Sequence, residues 1–194
     1  VKNFYEINDL PILDLTSEYD NLIKEGRIWY SEREPNQICL NSTINKLNDM
    51  HYGAGSLVFD WDLVGTLDDS GNVITSPTLR ETPLEESDFT ELCSQFKGTL
   101  FEDAYVALQK KYNLGRVRIM RSKPKTCLSW HYDYDVRVHY PLKTYEGCLM
   151  VIEDEVCHLT ANKWWYTETQ KMHTAFNASA QERIHLVATV ISSK

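Results

Sequence analysis

Between residues 129 and 142 the chain reads SWHYDYDVRVHYPL, and its ionisable side chains, His131, Asp133, Asp135, Arg137 and His139, all fall on odd positions. Side chains two apart in a strand share a face, so this spacing lays imidazoles, carboxylates and a guanidinium along one side. His131 and Asp133 then reach a common point by backbone geometry alone. Further along, His173 stands in the strand-like KMHTAFN. Two histidines and a carboxylate from neighbouring strands are the donor set of the facial triad that holds non-haem Fe(II) with adjacent positions open. His-x-Asp alone is a weak signal, and a lone strand histidine is more often a hydrogen-bonded core residue than a ligand. Asp135 is the rival ligand; the turn signalled at Tyr134-Asp135 favours Asp133.

Arg183, in ERIHLVATV, shifts that balance. A buried arginine on an otherwise apolar strand is costly unless an anion meets it, and a guanidinium pairs two-pronged with a carboxylate. An open metal position beside a carboxylate receptor calls for a keto acid. 2-Oxoglutarate fits, with its keto-acid end toward the metal and its far carboxylate toward Arg183. His185 faces either the same cavity or the packing around it, while His51 and His158 read as structural or surface residues. Cys127 and Cys148, near the site, read as core fillers.

The elements that must position these groups are mostly strands. From Gly115 onward RVRIMRS, CLSWHYDYD, VRVHYPL, GCLMVIED, EVCHLTA, KWWYTE, MHTAFN and RIHLVATVI follow one another at near-regular spacing. That pattern predicts an antiparallel sandwich or barrel with helices packed on one side. One strong helix is expected over residues 99–113, with Thr99 as its cap, Glu102 three residues on, and Asn113 and Gly115 as its stop. A shorter helix is expected through DFTELCSQF. In residues 1–63, PILDL, RIWYS, QICLN and GSLVFDW read as strands. Residues 64–88 read as a surface excursion or lid, with a turn at Asp69-Ser70-Gly71-Asn72.

The 194 residues, 42% hydrophobic and 25% charged, are those of one ordinary folded domain. Residues 1–98 supply N-terminal strands, the excursion and a short helix; residues 99–194 supply the main helix and the core carrying the site. A net charge of −8 argues against nucleic-acid and anionic-membrane partners and leaves a small molecule or peptide as substrate. Arg116, Arg118, Arg121, Lys123 and Lys125 read as a solvated strand edge. Five cysteines without a CxxC pair predict reduced thiols, and the lack of an apolar run or signal-like start predicts a cytoplasmic protein.

The run from Arg118 to Val190 resembles the aspartyl/asparaginyl β-hydroxylase family of 2-oxoglutarate- and Fe(II)-dependent oxygenases, which includes bacterial proline hydroxylases. RIMRSKPKT leading into SWHYD, then RVHYPL, KWWYTETQKMHTAFNAS and ERIHLVATV carry the likeness in order. The resemblance implies a double-stranded β-helix, or jelly roll, with His131, Asp133 and His173 on iron. It implies Arg183 on the distal carboxylate of 2-oxoglutarate, with Arg137 and His139 helping to hold that co-substrate. The implied reaction uses O2 to convert 2-oxoglutarate to succinate and CO2 while hydroxylating an unactivated C–H bond of an Asp, Asn, Pro or related amino-acid or peptidyl substrate. Asn162 stands where many relatives have Gly before the KWWY segment, and Asn tolerates the left-handed turn. Trp130, Trp164 and Trp165 are candidates to wall the pocket.

Two other classes share such a barrel. One is a non-enzymatic cupin-like protein that binds a metal or small molecule; the other is a Zn or Mn hydrolase or isomerase. Neither needs a buried carboxylate receptor at Arg183.

Overall fold

The computed structural model of the protein describes residues 2–61, 66–67, 70, 73–74 and 77–194. The chain opens with β1 (Phe4–Ile7), α1 (Leu15–Lys24), β2 (Gln37–Cys39) and β3 (Asn41–Ser42). Short strands follow: β4 (Phe59–Trp61), β5 (Thr66–Leu67), β6 (Val73–Ile74), β7 (Pro77–Leu79) and β8 (Glu91–Leu92). Then come α2 (Leu100–Lys111), β9 (Tyr112–Ser122), β10 (Thr126–Cys127), β11 (Val136–Lys143) and β12 (Cys148–Ile152). β13 (Glu155–Cys157), β14 (Trp164–Thr167), β15 (His173–Asn177) and β16 (Arg183–Ser193) complete the described elements.

Two antiparallel sheets face each other in a mainly β, jelly-roll architecture. The major sheet runs β1-β14-β11-β16-β9-β2 and the minor sheet β10-β15-β12-β13. Period-two alternation builds the major sheet with two different faces. Val117, Ile119, Val138, Tyr140, Leu142, Ile184, Leu186, Ala188 and Val190 point outward into a buried cluster with Leu15, Tyr19 and Leu22 of α1 and Phe101, Ala104, Tyr105 and Leu108 of α2. Their neighbours in sequence, Arg116, Arg118, Met120, Arg137, His139, Arg183, His185 and Val187, point between the sheets.

The expected main helix is α2. The Thr99 side chain accepts from the Phe101 amide, Lys110 and Lys111 sit in the last turn, and Glu102 accepts from the Gly98 amide. Its end differs from expectation: Tyr112 enters β9 directly, with Asn113 and Gly115 inside that strand. The first part of the chain differs more. PILDL and RIWYS are not strands. Asp14 caps α1 by accepting from the Ser17 amide, and Gly26, at φ 66°, ends it as Arg27 N–H returns to the Leu22 carbonyl. The helix through DFTELCSQF is instead two 3-10 turns, Glu86–Asp88 and Ser94–Phe96, flanking the two-residue β8. QICLN holds β2, and GSLVFDW only the short β4. Asn162 takes φ 58°, the left-handed turn expected of it. Asp69, Gly71 and Asn72 of the expected turn lie outside the described residues. All five cysteines are free, with Cys127 exposed. Among the described residues no helix is long and apolar enough to cross a membrane.

Candidate active site

CLSWHYDYD, expected as one strand up to a turn at Tyr134-Asp135, is strand-like but interrupted before His131 as well. It runs antiparallel to β15 and its preceding loop, with Leu128 N–H on the Ala175 carbonyl, His131 and His173 exchanging backbone bonds at 3.0 and 2.8 Å, and Asp133 N–H on the Thr169 carbonyl. Between the first two contacts one chain advances three residues and the other two, as in a bulge. Leu128 and His131 therefore both face the cavity despite opposite parity. The chain kinks again at Tyr134-Asp135, where the Gln170 amide and the Thr169 hydroxyl donate to their carbonyls at 2.7 and 2.9 Å. That kink takes Asp135 out of the cavity lining, while β11 returns Arg137 and His139 to it.

His131, Asp133 and His173 come together, with one donor atom from each lying within 4.8 Å of the others. His173 Nε2 is 3.9 Å from Asp133 Oδ2. Both imidazoles are fixed from behind: His131 Nδ1 is 2.8 Å from the Ser129 carbonyl, and His173 Nδ1 is 2.9 Å from the Lys171 carbonyl. A carbonyl only accepts, so each Nδ1 carries the proton and each Nε2 presents a lone pair inward. Burial lowers the His173 pKa more than its Lys171 contact raises it, favouring the neutral ring. Neutral imidazole nitrogens and a carboxylate with open space beside them suit Fe(II).

The cavity beside the triad measures about 260 Å³, a little below the roughly 300 Å³ at which small-molecule pockets usually begin. His139 and His185 share its floor, with Nδ1 atoms 3.4 Å apart and both Nε2 atoms unpartnered. Burial, with Arg183 and Arg137 nearby, pushes the His139 pKa down to about 3, and burial with Arg183 lowers His185 likewise. Arg183 Nε is buried without a hydrogen-bond partner, and among the described residues no carboxylate pairs with this guanidinium. Arg137 donates from Nε to Asp133 Oδ2 at 3.0 Å and from Nη1 to the Thr189 hydroxyl. His185 and Cys148 line the cavity; His51 and His158 do not.

Arg116 and Arg118 correct the expectation of a solvated strand edge: each is only 6% exposed. Arg116 grips Glu86 through Nε and Nη2 at 3.1 and 2.8 Å and donates to the Gly53 and Gly55 carbonyls. Burial opposes the Glu86 charge, but its bonds to Arg116 hold the carboxyl at about 2. Among the described residues Arg118 hydrogen-bonds only Gln37 Oε1, at 2.9 Å. The alternation Arg116-Val117-Arg118-Ile119 signalled a shared side, but not that Gly53, Gly55, Glu86 and Gln37 close over it. The tryptophans are also elsewhere. Trp164 is buried against Tyr140 on the outer face, Trp130 is 52% exposed, and neither they nor Trp165 line the cavity.

The family model of the aspartyl/asparaginyl β-hydroxylases matches residues 56–192. The chain belongs to this family. No curated protein matches at the sequence level. Among solved structures, the β-hydroxylase-family chain is similar to a 2OG-Fe(II) oxygenase family oxidoreductase from Burkholderia pseudomallei, at 21% identity and TM-score 0.37, over 40% of this chain and 43% of that one. It is also similar to the viral collagen prolyl hydroxylase of Paramecium Bursaria Chlorella virus-1, solved as a 2OG complex, at 13% identity and TM-score 0.43 over 97% of each chain. AviO1 from Streptomyces viridochromogenes Tue57 gives 10% identity and TM-score 0.45, over 99% of this chain and 91% of that one. None of the three reaches a TM-score of 0.5, so the family match carries the assignment.

Proposed function

We propose that the protein is a 2-oxoglutarate- and Fe(II)-dependent dioxygenase that hydroxylates an unactivated C–H bond of an amino-acid or peptidyl substrate. The observation that carries this reading is the pairing of two centres in one cavity: three inward-facing metal donors, and an arginine whose buried Nε meets no partner.

His131, Asp133 and His173 hold the metal, and Arg183 receives the distal carboxylate of 2-oxoglutarate. Fe(II) and 2-oxoglutarate, when bound, supply with O2 the oxidising power that protein side chains lack. The chain's own part is placement. The Ser129 and Lys171 carbonyls fix the two rings, and Arg137 steadies Asp133 by one oxygen. His139 faces the co-substrate with an unpartnered Nε2 and stays neutral, so it adds no positive charge between Arg183 and Arg137. Leu128, Met150, Leu159, Ala175 and Val187 keep the remaining wall apolar and limit water around the reacting groups.

The test is anaerobic loading of the chain with Fe(II) and 2-oxoglutarate, followed by admission of O2 and quantification of succinate. Succinate release that requires both Fe(II) and O2 is expected. A protein that binds metal but releases no succinate, with or without a panel of amino acids and peptides, would instead be a cupin-like metal or small-molecule binder.

A further inference from the structure

Four arginines line the cavity, and their partners differ. Arg116 is neutralised by Glu86, at 2.8 Å, and Arg137 by Asp133, at 3.0 Å. Arg183 has the co-substrate role proposed above. Arg118 has no counter-ion among the described residues. Its Nη1 donates to the neutral amide of Gln37, its Nε has no partner, and it is 94% removed from solvent. Holding a guanidinium in this condition costs stability, because burial strips its hydration while Glu86 and Glu34 act on it only through space, without an ion pair among the described residues. Burial, together with the like charges of Arg116 and Arg137, lowers its pKa to about 9, so it still carries its proton at neutral pH.

Arg118 and Arg183 lie at different ends of the floor. Arg118 pairs in register with Val187 of β16, four residues from Arg183, which separates their backbones by roughly 13 Å. The charged side chains bearing on Arg118 are Arg116, Arg137, Glu86 and Glu34, whereas Arg183 is flanked by Cys148. A five-carbon diacid, about 5 Å between its carboxyl carbons, held at Arg183 therefore leaves Arg118 for another anion. Gly55 at the cavity lining and Gln37 of edge strand β2 bracket Arg118, and Gly55 N–H also donates to Gln37 Oε1, at 3.1 Å. The amide that touches Arg118 is thus held in place rather than free to move with a ligand.

We propose that Arg118 is the receptor for a carboxylate of the hydroxylated substrate, which makes this enzyme selective for carboxylate-bearing amino acids or acidic peptide side chains over their neutral amides. The proposal rests on the dioxygenase reading above and deepens it. Arg118 offers the planar two-pronged donor set that fits a carboxylate, on the β9 side of the triad and away from the co-substrate anchor.

The first experiment reads stability without substrate or co-substrate. Arg118→Met in the metal-loaded full chain should leave the thermal midpoint unchanged or raise it, because it removes an uncompensated buried charge. Arg116→Met should lower it, because Glu86 then keeps only the backbone amide of residue 116, at 2.7 Å, and Arg137, at 3.9 Å. A midpoint that falls as far for Arg118→Met as for Arg116→Met would make Arg118 a fold-holding residue and overturn the proposal.

The second experiment compares matched pairs as stimulants of 2-oxoglutarate consumption: free amino acids against their α-carboxamides, and acidic peptides against the same peptides with Asn or Gln in place of Asp or Glu. The expected result is a KM for the acid about tenfold or more below that for its amide. Which pair discriminates identifies the source of the carboxylate. In Arg118→Met that difference should disappear. A panel in which no acid outperforms its amide overturns the proposal, as does an Arg118→Met protein that loses 2-oxoglutarate affinity as steeply as Arg183→Ala. If Fe(II)-dependent succinate release persists in either case, only the role of Arg118 has failed, and the dioxygenase reading stands.

Discussion

The two faces of the major sheet are made by alternate residues of the same strands, yet they obey opposite rules. On the outer face Val117, Ile119, Val138, Leu186 and Ala188 are fully buried under the helices. On the inner face Arg118, His139, Arg183 and His185 line the cavity but keep ring or guanidinium nitrogens without partners among the described residues. The outer face is complete in itself, whereas the inner face is completed by what it binds. Two neighbouring residues, such as His185 and Leu186, can thus differ in whether substitution damages binding or folding.

The sharpest way to break this contrast is at the metal donors. His131→Ala or His173→Ala should weaken anaerobic Fe(II) binding by about a hundredfold or more and abolish turnover. Equilibrium dialysis with the folded variants checks this, and undiminished iron binding in either would remove the triad. Asp135→Ala, whose side chain lies beyond the kink, should retain iron.

On the outer face, Leu186→Ala should cost about 2–5 kcal/mol of unfolding free energy by leaving a cavity in the main core. Denaturant unfolding reads this directly. A cost below about 1 kcal/mol would mean that the outer face is not the packed side supposed here.

Arg183→Ala belongs to the inner face and should do the reverse. Calorimetric titration of 2-oxoglutarate should show an affinity loss of about ten- to a hundredfold, while Fe(II) affinity changes little. Arg183→Lys should recover only part of it, because an ammonium lacks the planar fork. Unchanged co-substrate affinity in the alanine variant would refute the anchor.

Glu86 offers the mildest test and depends on pH. Its folded pKa, about 2, lies below the ordinary value of 4.5. Its ion pair therefore contributes stability that is fully present above about 4.5 and lost as pH falls toward 2, amounting to no more than about 3 kcal/mol. Unfolding curves of the parent and Glu86→Gln should converge across that window. Curves that stay parallel would show that Glu86 does not hold Arg116 as described.

Much of the candidate site was legible because strand periodicity is a property of the chain itself. Spacing alone brought out His131, Asp133 and Arg137, and an arginine among apolar neighbours brought out Arg183. The helix at 100–111 was legible through Thr99 and its apolar repeat. Helix α1 carried comparable signals in Asp14, the Leu15, Tyr19 and Leu22 spacing and Gly26, but the Pro-Ile-Leu run before it reads as a strand. Arg116 and Arg118 were hidden for a different reason. Alternation tells which side chains share a side, whereas whether that side meets water depends on Gln37, Gly53, Gly55 and Glu86, which lie 30 to 81 residues away in sequence. The bulge before His131 was equally illegible, since it is defined only against β15.

The two rims of the major sheet are β1 and β2, and both lie ahead of the residues that the family model matches. Each occupies a row of backbone donors and acceptors that β14 and β9 would otherwise expose. Exposed rows of this kind recruit strands from other molecules and seed aggregation. A fragment starting at residue 56 would retain every metal donor and still be expected to self-associate through its bared edges. The N-terminal strands thus act as guards on the sheet's solubility, and one of them, through Gln37, also holds Arg118 of the cavity wall.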